Sequence, residues 1–172
     1  MVTIRRITSH KTISPAQSEQ LATLLIDAVH GGASVGFLAP LSMARAMAYW
    51  QNVYANMGED SALWVVEAEG EIVGAVQLSL CSKENGRHRA EVQKLFVRRS
   101  HRGQHIATAL MTAVETHARS IGRTLLVLDT ESGSLAETVY QHLGWQKSGE
   151  IPQYAGLPNG KLIATAIYYK LI

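Results

Sequence analysis

The segment from Arg89 to Leu128 constrains the fold more than any other part of the sequence. Arg89 to Val97 is predicted to be a strand, and Thr124 to Leu128 is a short apolar run typical of a second, buried strand. Between them, apolar residues recur every three or four positions, which predicts a helix with the stripe Ile106, Ala109, Leu110, Ala113, Val114, Ala118 and Ile121. A strand, a helix and a strand of these lengths form a βαβ unit. The chain therefore folds around a sheet that carries a helix on at least one face.

The other elements are predicted by the same periodicities. They are a strand at Val2 to Ile7, a helix opened by Ser14 and Pro15, a helix from about Leu41 to Met57, a hairpin of Leu63 to Ala68 and Glu71 to Leu80, a short helix after Ser134, and strands near Trp145 to Ile151 and Leu162 to Leu171. No repeat, low-complexity tract or linker interrupts them. We therefore expect residues 1–172 to form a single domain.

Composition narrows the class of protein. A chain of 172 residues with 47% apolar residues can bury a full core without disulfides. Its one cysteine, Cys81, excludes an internal disulfide and, with no CxxC, a thiolate zinc site, so no metal is expected. The net charge of +2 is too small and too dispersed for a nucleic-acid binder. The long uncharged stretch from Ala28 to Ala44 contains glycines and a proline and fails as a membrane helix, and no export signal opens the chain. We expect a cytoplasmic protein with neither nucleic acid nor membrane as a partner.

The loop RRSHRGQH, between the predicted strand and the helix at Ile106, is the most informative part of the chain. The start of a helix presents unpaired backbone N–H groups and the positive end of the helix dipole, and both bind phosphate. Many turns of this kind are purely structural, so the pattern alone leaves both interpretations open. Neither the GK[ST] of a P-loop nor the GxGxxG of a dinucleotide fold is present.

Several motifs, taken in order, resemble the GNAT acetyltransferase superfamily. Its strand ending in L-x-V is matched by Leu95 and Val97, its loop [QR]-x-x-G-x-[GA] runs from Arg102 to Ala107, and its Y-x-x-x-G-[FW] begins at Tyr140. His105 replaces the inner glycine of the loop, and we expect its backbone to be ordinarily helical with the imidazole pointing outward. Gly133 stands where the family commonly has asparagine. Longer strings, among them HGGASVGF and LDTESGSLAETVY, resemble the tabtoxin-resistance acetyltransferases over nearly the whole chain.

This resemblance implies a fold and a cosubstrate. The fold is α+β in three layers, with a central mixed, mostly antiparallel sheet, a splayed central strand pair and helices on both faces. The cosubstrate is acetyl-CoA, and no metal takes part. The residues that the resemblance places against the cofactor are Leu95, Phe96, Val97, Arg102, Gly103, Gln104, His105, Ile106, Ala107 and Thr108.

The resemblance also implies the catalytic groups. Tyr140 matches the tyrosine that protonates the departing thiolate. Asp129, at the carboxyl end of its strand, and Glu91, on the strand face predicted to hold Leu95, compete for the role of general base. A water chain is the third alternative, and either carboxylate could instead bind the substrate's ammonium group. The expected substrate contacts are His30, Gly31, Phe37 and Asp129.

The expected reaction is transfer of the acetyl group to the primary amine of a small molecule, such as an amino-acid-like toxin or antibiotic, by direct attack in a ternary complex. Two alternatives stay open: a protein or peptide amine as acceptor, and an acyl-CoA-binding module that has lost catalysis. A homodimer is common in the family, but no residue argues for it.

Overall fold

The computed structural model describes residues 2–172, which contain one seven-stranded sheet and four α-helices. In chain order the elements are β1 (Val2–Ile7), α1 (Pro15–His30), α2 (Met43–Ala55), β2 (Ser61–Ala68), β3 (Glu71–Leu80), β4 (Arg89–Val97), α3 (Ile106–Ser120), β5 (Leu125–Glu131), α4 (Leu135–His142), β6 (Gln146–Gly156) and β7 (Leu162–Leu171). The predicted elements are all present, and the boundaries differ most at α2, β5 and β6.

The sheet has the order β1-β2-β3-β4-β5-β7-β6, and only β4 and β5 pair in parallel. One hydrophobic core, the α3 core, includes Leu110, Met111, Leu126 and Tyr140 on the face that α3 and α4 cover. The other, the α1 core, lies under α1 and α2 and includes Trp50, whose indole N–H donates to the Leu21 carbonyl over 2.9 Å. The expected three-layer fold, with a mixed, mostly antiparallel sheet and helices on both faces, is confirmed.

The central parallel strands splay apart after a short pairing. β4 and β5 are in register at only three residue pairs, the last of which joins Glu91 and Val127. From there β4 continues to Val97 beside β3, and β5 continues to Glu131 beside β7. The edge of β4 that faces the opening therefore has no partner strand, and its backbone polar groups are available to a ligand.

A β-bulge in β4 overturns the predicted alternation of its side chains. β3 pairs Ala75 with Phe96 and Gln77 with Gln93, so Lys94 and Leu95 together face one residue, and Lys94 has φ +52°. An extra residue reverses the inside-outside order beyond it. Val92 lies in the α3 core and Phe96 in the α1 core, whereas Leu95 and Val97 pack against the α3 core. The expectation that Glu91 shares a face with Leu95 was therefore wrong.

The start of α3 is held close to the sheet. Gly74 of β3 faces this helix, where a Cβ would come within 2.9 Å of Ile106 Cγ2 and 3.3 Å of the Phe96 carbonyl oxygen. His105 precedes the helix with φ +58° and ψ +16°, which is left-handed, so the expected helical backbone at this residue was wrong. Its side chain is exposed, as expected. The chain thus keeps the backbone shape that glycine adopts freely, using a residue that pays a steric penalty for it.

Two segments from opposite ends of the chain meet near the splayed strands. In the α1–α2 loop, residues 31–42, the Ser34 hydroxyl donates to the Gly156 carbonyl over 3.3 Å, and the Ala39 N–H donates to the Pro158 carbonyl over 2.8 Å. The loop therefore rests on the β6–β7 hairpin.

None of the helices within residues 2–172 has both the length and the apolar character that crossing a membrane requires.

Candidate active site

The loop before α3 presents a run of unpaired backbone donors. The N–H groups of residues 103–108 donate no hydrogen bond within the described chain, and the first bond of the helix is from Ala109 N to the His105 carbonyl at 3.0 Å. No side chain caps the helix start. Successive free N–H groups at a helix N-terminus favour a phosphate or another anion. The predicted residues Arg102, Gly103, Gln104, His105, Ile106, Ala107 and Thr108 all belong to this loop or to the first turn.

The arginines of this loop differ in what they contact. Arg98 forms an ion pair with Glu71, and Arg99 donates to Asp27 through its backbone N–H (2.9 Å) and its Nε (2.8 Å). Burial opposes ionisation of Asp27, but the hydrogen bonds and charge of Arg99 outweigh it and hold the pKa below its usual value. Arg102 is exposed and forms no ion pair with any carboxylate of residues 2–172. It is the arginine of the loop that an incoming phosphate can engage without breaking an existing pair.

The opening between β4 and β5 adjoins this loop. Leu95, Phe96 and Val97 lie on the unpaired part of β4, directly before the loop that leads into α3. Their side chains pack into the two cores, so what they offer a ligand is backbone. The structure thus places free backbone groups of a strand next to the free N–H groups of a helix.

Three charged residues lie on the α1-core side of the opening. Glu91 and Asp129 come from the two splayed strands, and Lys94 stands at the bulge between them in sequence. Burial lowers the pKa of Lys94, and the nearby charges of Asp129 and Glu91 oppose that effect. Lys94 Nζ donates to the Val35 carbonyl over 2.8 Å, which ties the α1–α2 loop to β4. Sequence reasoning missed Lys94 because the bulge turns its side chain to this side, and a bulge cannot be recognised from the alternation of apolar and polar residues along β4.

The predicted substrate contacts of the α1–α2 loop occupy different surroundings. His30 Nε2 accepts a hydrogen bond from the Leu41 N–H at 3.2 Å and so fixes the loop. A Cβ on Gly31 would lie 2.9 Å from Arg99 Cδ, which places this residue against the loop that precedes α3. Phe37 packs edge-on against Tyr49 with ring centroids 5.4 Å apart. Their contact with a substrate stays a prediction.

Tyr140 of α4 is 6% exposed and packs between Trp145 and Tyr168, with ring centroids 6.1 and 6.0 Å away. Burial raises the pKa of its hydroxyl well above the usual value, and the charge of Asp129 adds to the rise. The hydroxyl is therefore protonated at neutral pH. A neutral hydroxyl near a carboxylate and a splayed strand can act as a proton donor.

A buried hydrogen-bond network supports α4. The Glu137 carboxylate accepts from the Tyr168 hydroxyl, from the Gly133 N–H at 2.8 Å and from Lys147 Nζ at 3.3 Å. Burial would raise the pKa of Glu137, but these hydrogen bonds and the charge of Lys147 keep it below the usual value. Sequence reasoning missed Glu137 too, since its partners lie on elements that meet only in the folded chain.

Taken together, these groups can perform acyl transfer: free N–H groups for an anionic carrier, a strand edge for an extended chain, carboxylates for an ammonium group and a hydroxyl to donate a proton. Within residues 2–172, no group of three or more His, Cys, Asp or Glu residues could hold a metal ion.

Comparison with known proteins agrees with this chemistry. Residues 37–145 match the acetyltransferase (GNAT) family. N-acetyltransferase 8 of Rattus norvegicus is 40% identical over 94 residues, which cover 52% of this chain and 41% of that protein. The chain thus spans about two fifths of the length of the curated relatives it matches.

Solved structures share the fold over almost the whole chain. An N-acetyltransferase from Staphylococcus aureus Mu50 has a TM-score of 0.80 at 17% identity, covering 99% of this chain and 98% of that one. The yncA protein of Salmonella typhimurium, solved with its cofactor acetyl-CoA, has a TM-score of 0.77 at 18% identity and covers 99% and 94%. At these identities the likeness shows the fold alone.

Proposed function

The chain belongs to the acetyltransferase (GNAT) family, and from this membership we propose that it transfers the acetyl group of acetyl-CoA to a primary amine. The observation that carries the proposal is the adjacency of two features: the unpaired edge of β4 and the free N–H groups of residues 103–108. A pantetheine chain needs the first, and a pyrophosphate needs the second. When bound, acetyl-CoA supplies the activated acetyl thioester.

The residues of the loop fit a diphosphate. Six consecutive free N–H groups and the positive end of α3 supply the donors, and Arg102 supplies a positive charge that forms no ion pair with a carboxylate of the described chain. His105 leaves this cradle intact because it holds the left-handed backbone that the loop requires. The cradle consists of backbone, so the change from glycine to histidine removes no donor.

Tyr140 acts as the proton donor for the leaving thiolate. Its raised pKa keeps the hydroxyl protonated at the pH of the reaction, which a general acid requires. The ring is held by its packing against Trp145 and Tyr168, so the hydroxyl is presented in a restricted orientation.

Asp129 and Glu91 bind the ammonium group of the acceptor, and one of them, or a water chain, removes its proton. Support comes from their position on the two splayed strands, where both carboxylates act on the charge of Lys94. We favour Asp129 for the substrate contact because its charge also contributes to the raised pKa of Tyr140, the proposed acid.

The acceptor is a small molecule in this proposal. The α1–α2 loop is anchored to β4 by Lys94 and to the β6–β7 hairpin by Ser34 and Ala39. A loop held in this way favours a covered site for a small molecule over an open groove for a peptide. An amino-acid-like toxin or antibiotic is the class we propose, supported by the resemblance of HGGASVGF and neighbouring strings to tabtoxin-resistance enzymes.

Two measurements test the proposal. Isothermal titration with acetyl-CoA should show saturable binding, and absence of binding up to high micromolar concentration would refute the proposed cofactor.

The second measurement follows thioester consumption with free amino acids, simple amines and peptides, and identifies the products by mass spectrometry. Acetylated small amines support the proposal, acetylated peptides alone favour the protein-directed alternative, and binding without turnover favours the degenerate module. The variants Asp129→Asn and Glu91→Gln distinguish the two roles. Loss of the general base lowers kcat, whereas loss of the contact with the ammonium group raises the KM for the amine.

A further inference from the structure

A cavity lies at the far end of α3 from the proposed acetyl-CoA site. Its volume is about 290 Å³, and it opens between the C-terminal part of α3 and the sheet. Ala62, Leu78 and Leu80 form an apolar wall, and Arg6, His117 and Arg123 contribute the basic side chains. Eleven residues separate Ile106 from His117, so the cavity is roughly 16 Å along the helix from the free N–H groups. It is therefore separate from the proposed acetyl-CoA site.

The basic side chains on the cavity are preorganised. Arg6 donates to His117 Nδ1 over 3.3 Å, and its guanidinium lies 5.9 Å from the centre of the Trp64 ring. Because His117 accepts at Nδ1, its imidazole is neutral with the proton on Nε2. Burial, and then the charge of Arg6, lower the pKa of His117. These contacts hold Arg6 in place while they leave most of its donors unused.

Arg123 has unused donors as well. Its Nη1 donates to the Cys81 carbonyl over 3.4 Å, whereas its Nε is enclosed and has no hydrogen-bond partner. The enclosed Nε is out of a ligand's reach, but Arg123 lines the cavity and its Nη2 donates no hydrogen bond within residues 2–172, so Nη2 is the donor that a ligand acceptor can pair with.

The charge on this cavity is positive. Neither Arg6 nor Arg123 lies within 4.0 Å of a carboxylate oxygen in residues 2–172, although Glu59 also lines the cavity. By contrast Arg119, two residues after His117 and outside the cavity lining, is paired with Glu115 at 3.8 Å. Two unpaired guanidinium groups and one carboxylate leave a net positive site beside an apolar wall.

We propose that this cavity binds a small organic anion. Its carboxylate or phosphate group contacts Arg6 and Arg123, and its apolar body lies against Ala62, Leu78 and Leu80. The volume lies just below the usual range of ligand sites, about 300–1,000 Å³, which limits the occupant to a small molecule. The site is independent of acetyl transfer, so its occupant need not be the amine or acetyl-CoA.

The test follows the His117 imidazole resonances by NMR during separate titrations with benzoate, phenyl phosphate and the neutral benzamide. At least one anion should produce saturable shifts by about 10 mM, where a site with a millimolar dissociation constant is largely filled. Benzamide should not, because it lacks the charge that the arginines recognise. The two anions distinguish a carboxylate ligand from a phosphate ligand.

Variants locate the site. Arg6→Gln and Arg123→Gln should each weaken anion binding about tenfold or more, as loss of a charge-assisted hydrogen bond predicts. Arg119→Gln is the matched control, because it changes the net charge of the protein by the same amount at a residue outside the cavity. It should leave the affinity for the anion unaltered. The proposal is overturned if neither anion shifts His117, if benzamide binds as well as the anions, or if Arg119→Gln weakens binding as much as the cavity variants.

Discussion

Replacing Tyr140 by phenylalanine separates its chemistry from its packing. The substitution removes one hydroxyl, which makes no hydrogen bond within residues 2–172, and keeps a ring that is 6% exposed. The ring contacts with Trp145 and Tyr168 are retained. We therefore expect the free energy of unfolding to change by less than about 1 kcal/mol, since no buried partner loses its hydrogen bond.

The effect on turnover should be much larger. Loss of a positioned general acid costs about 10²- to 10⁴-fold in rate. We expect kcat to fall by about 100-fold or more, while the KM for acetyl-CoA stays within about threefold because Tyr140 is not among the proposed cofactor contacts. Steady-state assays of thioester consumption measure both. In the wild type, the raised pKa of Tyr140 predicts no loss of activity from this group as the pH rises toward 9, since it stays protonated.

Tyr168→Phe is the matched control. The Tyr168 ring is fully buried 6.0 Å from Tyr140, but its hydroxyl donates to Glu137 and accepts from Gln141 Nε2 at 3.1 Å. Its removal should lower the free energy of unfolding by about 1–3 kcal/mol and reduce kcat by less than about tenfold. The reasoning is refuted if Tyr140→Phe retains wild-type kcat, or if both variants lose the same activity in proportion to lost stability.

The remaining predictions concern the loop before α3 and the Glu137 network. His105→Gly should raise the free energy of unfolding by about 0.5–1 kcal/mol, measured by urea denaturation, because glycine avoids the left-handed penalty at φ +58°; a less stable variant would contradict this account. Because the pKa of Glu137 is lowered from 4.5 on folding, the stability that its carboxylate contributes is present above that pH and is lost as the pH falls below it. Glu137→Gln should therefore lose less stability than the wild type between about pH 6 and pH 3, and equal slopes in the two proteins would disprove the contribution.

The secondary structure could be predicted well because each element has a clear periodicity. The stripe from Ile106 to Ile121 defines α3, and the turn at Glu69 and Gly70 defines the hairpin of β2 and β3. The side-chain faces of β4 were predicted wrongly beyond Gln93. The pattern of residues is the same with or without a bulge, and only pairing with β3 decides that Lys94 is the extra residue.

The candidate site divides in the same way. The loop of residues 102–108 could be found from its residues, because a helix start after a strand has unpaired N–H groups whatever surrounds it. The left-handed backbone of His105 could not, since a histidine in sequence is compatible with either conformation. Lys94 and Glu137 were missed because the groups that make them noteworthy, Val35 and Tyr168, are 59 and 31 residues away in the chain.

By itself, the sequence determined the order and type of the elements, the place of the loop proposed to bind phosphate and, by resemblance, the family. These properties depend on local periodicity and on motifs contained within short segments. Only the tertiary structure decided which charges surround the opening between β4 and β5, which arginines keep unused donors, and that a basic cavity exists near His117. Those features depend on strand register and on contacts between distant residues, and the free energy that selects them comes from packing of the whole chain.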